Sequence, residues 1–140
     1  MRYWLVKADP SDISVDDLRN RSNGIIAWYG IRNYQSRNFM RDQMSVGDQI
    51  LFYHSSCKQP GIVGTAEVCK LAYPDSTQFD PNSKYFDLKA TSERPRWFNV
   101  DIKFVSKCQL ISIKELRSIP ALEGMRILQK GNRLSITPVD

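Results

Sequence analysis

Three short stretches concentrate the side chains that could do chemistry. Trp28-Tyr29-Gly30-Ile31-Arg32-Asn33-Tyr34 sets stacking rings, a guanidinium and an amide within seven residues. Tyr53-His54-Ser55 adds a ring and two polar groups, and Arg96-Trp97-Phe98-Asn99 repeats the theme. A nucleobase takes a flat ring to stack on, an amide or hydroxyl for its edge, and cations for its phosphate. Core aromatics beside surface charges make the same pattern, and composition alone does not separate the two. The chain carries 20 Lys+Arg against 15 Asp+Glu, a net charge of +5 and a pI near 9.2. Such a charge attracts polyanions over a long range, although many basic domains bind no nucleic acid.

Catalytic constellations find less support. A Ser-His-Asp or Cys-His pair has to use His54, the single histidine, and no GxSxG elbow surrounds any serine. The simpler reading of His54 is a strand-end residue bonded by its neighbours. GxGxxG and GxxxxGK[ST] motifs are absent, so nucleotide-cofactor and NTPase readings lose their main support. Asp16-Asp17 reads as first-turn helix acids favoured by the helix dipole. Cys57, Cys69 and Cys108 are odd in number and widely spaced, without CxxC or HxxxH spacing. Neither a disulfide framework nor structural zinc is expected.

Positioning these residues takes a scaffold. Tyr3 to Ala8 is apolar on both alternating faces and reads as a buried strand. Ser14-Val-Asp-Asp17 is a capping-box start for a helix over Val15 to Arg19. Asn23-Gly24 marks a turn before the apolar run Ile25 to Tyr29. Gly30 to Asn33 is a loop entering a helix capped by Asn33, which runs through Tyr34, Phe39, Met40 and Met44. Asp48 to His54 is a strand, Ser55 to Gly61 a loop, and Ile62 to Leu71 a hairpin partner in which Gly64 signals a bulge or close approach. Tyr73 to Pro95 is a long irregular region. In Trp97 to Lys107, Phe98, Val100, Ile102 and Phe104 alternate with Asn99, Asp101 and Lys103, one face buried and the other wet. Ser112 to Glu115 opens a short helix ending at Arg117. Pro120 to Leu128 is a helical piece interrupted at Gly124, and Leu134 to Pro138 a closing strand. Strands do not alternate regularly with helices, which disfavours a doubly wound fold.

At 140 residues, 41% apolar and 25% charged, the chain has the size and balance of a single globular domain over residues 1–140. No apolar run approaches the roughly 20 residues of a membrane span. The apolar part of MRYWLVKADP is too short for a signal peptide, so an intracellular protein that does not engage a membrane is expected.

The run GIRNYQSRNFMRD from Gly30 to Asp42 resembles the signature of the EVE domain family, as does VGDQILFYHSSCKQPGIVGTAEV from Val46 to Val68. AYPD at Ala72 to Asp75, FDP at Phe79 to Pro81, RPRWFNVDIKFV at Arg94 to Val105 and RLSITPV at Arg133 to Val139 extend the match. The resemblance runs from Tyr3 to Val139. It implies an α+β, PUA-like fold: a small mixed or antiparallel β-barrel of five or six strands with short helices packed around it. It also implies kinship with YTH domains, which read a methylated adenine in RNA through an aromatic cage, and with ASCH domains, some of which are hydrolases. EVE domains are regarded as readers of modified bases, with modified cytosines in DNA suggested for some members.

Together these readings predict a non-catalytic module that binds DNA or RNA and takes a modified base, flipped from its stack, into an aromatic pocket. The predicted pocket holds Trp28, Arg32, Asn33, Asn38, Tyr53, His54, Ser55, Gly61, Ile62 and Trp97. Of these, Trp28, Tyr53 and Trp97 are the stacking faces, and the Gly61 and Ile62 amides allow close backbone approach. Arg32, Arg37, Arg41 and Lys58 are the predicted phosphate ligands. No metal or cofactor is expected. A monomer is expected, cytoplasmic if stand-alone bacterial relatives are the guide. The alternatives are a small hydrolase acting on a modified nucleoside or other small molecule through His54 or a nearby polar residue, as in ASCH-like relatives, and a protein-interaction module using the pocket as a peptide groove.

Overall fold

In a computed structural model describing residues 1–139, Tyr3–Ala8 forms β1 over the predicted range. Ser14 opens helix α1, Val15–Asn20, with both halves of the capping box in place. Its hydroxyl accepts from the Asp17 N–H, and the Asp17 carboxylate accepts from the Ser14 N–H. The chain turns through Asn23 and Gly24, both left-handed, into β2, which is only Ile25–Ala27. The apolar run outlasts this strand because the chain leaves the ladder at Trp28, whose N–H donates to the Val100 carbonyl. Asn33 caps α2, Tyr34–Asn38, by accepting from the Ser36 N–H. A wider π turn then covers Phe39–Gln43 where one continuous helix was expected, and it buries Phe39 and Met40 side by side.

The remaining strands are β3, Gln49–His54, β4, Gly61–Pro74, β5, Phe98–Ser112, and β6, Ile136–Val139. Helix α3, Ile113–Arg117, follows β5 directly. Both β4 and β5 outrun their sequence boundaries, because their mutual pairing extends from Gly61 opposite Ser112 to Pro74 opposite Phe98. Four register shifts along that ladder scramble the alternation that would have marked its ends. Pro120–Leu122 and Arg126–Leu128 are two separate 3-10 turns flanking Gly124.

The sheet order is β2-β5-β4-β3-β1-β6. Among the described residues, β1 and β3 run parallel and the other pairs are antiparallel. This is the mixed sheet with few short helices that the PUA-like reading requires. Its inner face carries Trp4, Val6, Ile50, Phe52, Ala66, Val68, Val100 and Ile102, buried in one cluster with Trp28 and Met40. Its outer face carries Leu5, Tyr53 and Ile62 under Leu116 and Ile127. Val63 is the extra residue of a bulge between the pairs Phe52–Gly64 and Tyr53–Ile62, which lets it join the inner core beside even-numbered neighbours. Gly64 marks a close approach: a Cβ there would lie 2.6 Å from the Ser106 carbonyl oxygen. Asn99, expected on the wet face, is only 2% exposed and sits opposite Tyr73 in the ladder.

Candidate nucleic-acid interface

A cavity of about 190 Å³ opens between the C-terminal end of β1 and the segment from Ile26 to Ile31. That is below the roughly 300–1,000 Å³ of a drug-sized site and suits one flat heterocycle. Trp28, Tyr29 and Tyr85 supply its rings, Lys7 and Arg21 its cations, and Asp9 and Asp12 its carboxylates. Trp28 is buried, meeting Phe52 edge-on at 5.7 Å between centroids. Tyr29 is half exposed and meets Tyr85 edge-on at 6.0 Å. Burial pushes the Lys7 ammonium below the ordinary lysine range. Asp9 accepts from the Ser11 hydroxyl and N–H through one oxygen, which holds its pKa low and leaves the second oxygen without a partner among the described residues.

The loop from Trp28 to Asn33 is held from behind. Asp75 is fully buried and accepts from the Gly30 N–H at 2.8 Å and Arg32 Nη1 at 3.1 Å. Burial raises the Asp75 pKa, but bonds from Gly30, from the Thr77 hydroxyl and N–H, and from Arg32 outweigh it and leave the carboxyl below its usual range. The Tyr85 ring lies on Gly30 so closely that a Cβ there would be 2.7 Å from it, at φ +86°. The long segment carrying Tyr85 is anchored by Gln78, itself fully buried. Its amide donates to the Asp75 and Trp97 carbonyls and its carbonyl accepts from the Arg96 and Trp97 N–H groups. One side chain thus ties both ends of an irregular excursion together, as a strand pair otherwise would.

Of the residues predicted from sequence, only Trp28 lines this cavity. Tyr53 is on the opposite face of the sheet, packed with Ile62 in the outer cluster, because adjacent strand residues point to opposite sides. Ile62 and Gly61 are in the β4 ladder, and a Cβ on Gly61 would lie 2.3 Å from the Ile111 carbonyl oxygen. Their close approach is therefore to neighbouring backbone. His54 Nε2 accepts from the Val15 N–H at 3.0 Å, fastening the start of α1. Burial lowers its pKa, so it serves as a neutral acceptor already engaged, and the hydrolase alternative loses its named base. The Ser55 N–H donates to the Ala8 carbonyl, which ties the β3 end to the cavity rim. Asn33 is the α2 cap. Asn38 Oδ1 accepts from Arg37 and Arg41.

Arg32 and Trp97 belong to the support of the cavity. Arg32 engages the carbonyls of Ile31 and Tyr85, the Asp75 carboxylate and the Thr77 hydroxyl. Its guanidinium lies between the rings of Tyr85 and Trp97, 5.4 and 5.2 Å from their centroids. With its donor groups all engaged internally, it is a clamp and not a phosphate ligand. Trp97 is buried, stacks on Tyr34 at 4.7 Å and donates from Nε1 to Asp87. Arg37 and Arg41 lie on α2 and the π turn, and Lys58 is exposed on the loop after β3.

The profile of the EVE domain family matches residues 2–140. The chain belongs to the EVE domain family. A crystal structure of a Pseudomonas putida protein superposes with a TM-score of 0.93 at 44% identity, covering 99% of this chain and 91% of that one. Human THYN1 protein in complex with 5-methylcytosine-containing DNA gives a TM-score of 0.93 at 36% identity, over 100% of this chain and 91% of that one. Thymocyte nuclear protein 1 of Gallus gallus is 40% identical over 98% of this EVE domain, which spans 63% of that protein's length. A YTH domain of Zygosaccharomyces rouxii shares the fold, with a TM-score of 0.51 at 14% identity.

Sequence reasoning passed over most of the polar lining of the EVE domain cavity. Lys7, Asp9 and Asp12 look like the charged end of a strand, and Tyr85 is one aromatic in a long loop. The usable signal was Lys7: a cation ending an otherwise buried strand, two residues before an aspartate.

Proposed function

We propose that this EVE domain is a non-catalytic nucleic-acid-binding module that takes one modified base, extruded from its strand, into the cavity beside Trp28. The observation that carries the reading is the cavity itself: ring walls with Lys7, Asp9 and Asp12 around a space of about 190 Å³. The human relative crystallised with DNA containing 5-methylcytosine supports the same reading. Cytosine offers an amine donor at N4 and acceptors along the rest of its pairing edge. An aspartate at the rim suits that donor. Extrusion costs a few kcal/mol from a duplex. An aromatic stack recovers about 1–3 kcal/mol, and a buried methyl adds about 0.8 kcal/mol.

Titration of intrinsic tryptophan fluorescence tests this. The ligands are short DNA and RNA oligomers carrying one plain, methylated or hydroxymethylated base. The expected result is a modification-dependent quench. Tyr29→Ala removes a half-exposed ring from the cavity wall, so it is expected to weaken binding of plain and modified oligomers alike while the fold persists. An identical response to all oligomers by the wild-type protein overturns the reading.

A further inference from the structure

The cavity is the end of a stacked series. Tyr85 borders it, Arg32 lies on Tyr85, Trp97 on Arg32, and Tyr34 on Trp97 with ring planes 24° apart. At the outer end three arginines converge. The Arg37 guanidinium is 4.7 Å from the Tyr34 centroid and donates to the Arg96 carbonyl. Arg41 and Arg37 share the neutral Asn38 Oδ1 as acceptor, and the Arg96 Nη1 is 3.5 Å from the Tyr34 hydroxyl. The carboxylates nearby are Asp42, paired with Arg41, and Asp87, which accepts from Trp97 and is 3.8 Å from Arg96. Arg37 and Arg41 bring two like charges onto one neutral oxygen, and the Asp42 carboxylate offsets only one of them, through its bonds to Arg41. A guanidinium fork is matched in shape to phosphate.

We propose that Arg37, Arg41 and Arg96 form a phosphodiester site that grips the strand flanking the base in the cavity, at a spacing set by the Tyr85–Arg32–Trp97–Tyr34 series. This rests on the base-reading function proposed above. It takes Arg32 out of the phosphate set predicted from sequence and brings Arg96 in. Arg32 is the internal strut; Arg37, whose Nε, Nη1 and Nη2 all bond within the protein, holds the site together, and Arg41 and Arg96 face the nucleic acid.

Salt dependence tests the site. Arg41 and Arg96 side chains are each 38% exposed, so Arg41→Gln and Arg96→Gln are expected to fold normally, as a thermal melt checks. Affinity for an oligomer with one modified cytosine is measured from low to moderate salt, in duplex and single-stranded form. Each variant is expected to lower the slope of log affinity against log salt by about 0.9 for duplex or about 0.7 for single strand. Plain and modified oligomers weaken by the same factor, and binding of the free modified nucleoside is unchanged. Lys114→Gln on α3 makes the same charge change elsewhere and leaves the slope as it was. Unchanged slopes for Arg41→Gln and Arg96→Gln overturn the proposal, and so does a loss of free-nucleoside binding in either variant. If the wild-type protein shows no preference for the modified base yet the slopes fall as stated, the phosphate site stands and the base reading fails.

Discussion

Gly30 shows how one residue type sets the cavity wall. Its φ of +86° lies in the left-handed region, and the Tyr85 ring occupies the space where a Cβ would go. Gly30→Ala is expected to cost roughly 1–2 kcal/mol in backbone strain and to push Tyr85 outward as well. Gly131, at φ +81° with nothing within 4 Å of its would-be Cβ, isolates the strain. Urea midpoints of the two variants compare the two effects, and oligomer titration of Gly30→Ala is expected to show weakened binding. Asp75 is the residue-scale counterpart behind the loop. Asp75→Ala orphans the Gly30 N–H and leaves Arg32 without its counter-charge, an expected loss of about 3 kcal/mol by urea unfolding. A loss well under 1 kcal/mol would show that the Tyr85 carbonyl and the ring stack hold Arg32 without it.

Elements here are fastened at their ends by single side chains. Helix α1 begins where the His54 imidazole accepts from the Val15 N–H. Burial, the larger influence, lowers the His54 pKa, and Asp16 opposes it. A histidine depressed in the folded state binds fewer protons there than in the unfolded chain. Stability therefore rises with pH from the depressed value up to the unfolded value near 6.5. Below that window the imidazole protonates and the acceptor is lost. His54→Ala is expected to remove this dependence and about 1 kcal/mol, as read by urea midpoints across pH 5 to 7.5. Gln78 does equivalent work for the long segment. Gln78→Ala strands the Arg96 and Trp97 N–H groups, and the expected consequence is faster hydrogen exchange at those two amides.

For the molecule as a whole, acid is the expected point of failure. Asp48 is buried and accepts from the Arg2 and Ser45 N–H groups and the Trp4 indole. Burial raises its pKa, but those bonds bring it below the ordinary range, as happens at Asp75. Carboxylates depressed on folding add stability that is complete above the unfolded value near 3.9 and is lost as pH falls through the folded values. The urea midpoint is expected to drop steeply below about pH 4. Asp48→Asn is expected to lower stability at pH 7 while flattening that drop, and an unaltered acid limb would remove Asp48 from the account.

Element types were legible because they depend on neighbours in the chain. The Ser14 capping box, the Asn33 cap, the Asn23-Gly24 turn and the dense apolar run of β1 each act over a few residues. The family signature, spread from Tyr3 to Val139, carried the fold. The length of β4 and β5 was not legible, because it comes from pairing across the sheet and the ladder's register shifts break the period-2 pattern. Of the residues lining the cavity, only Trp28 was among those predicted. Tyr53 sits next to His54 in sequence, yet the sheet turns it to the far side, while Lys7 and Tyr85, distant in sequence, meet at one opening. Sequence determined which side chains could stack, donate and accept. Only the tertiary structure decided which of them share a cavity, because that depends on strand parity, a bulge at Val63 and the anchoring of a long segment by Gln78.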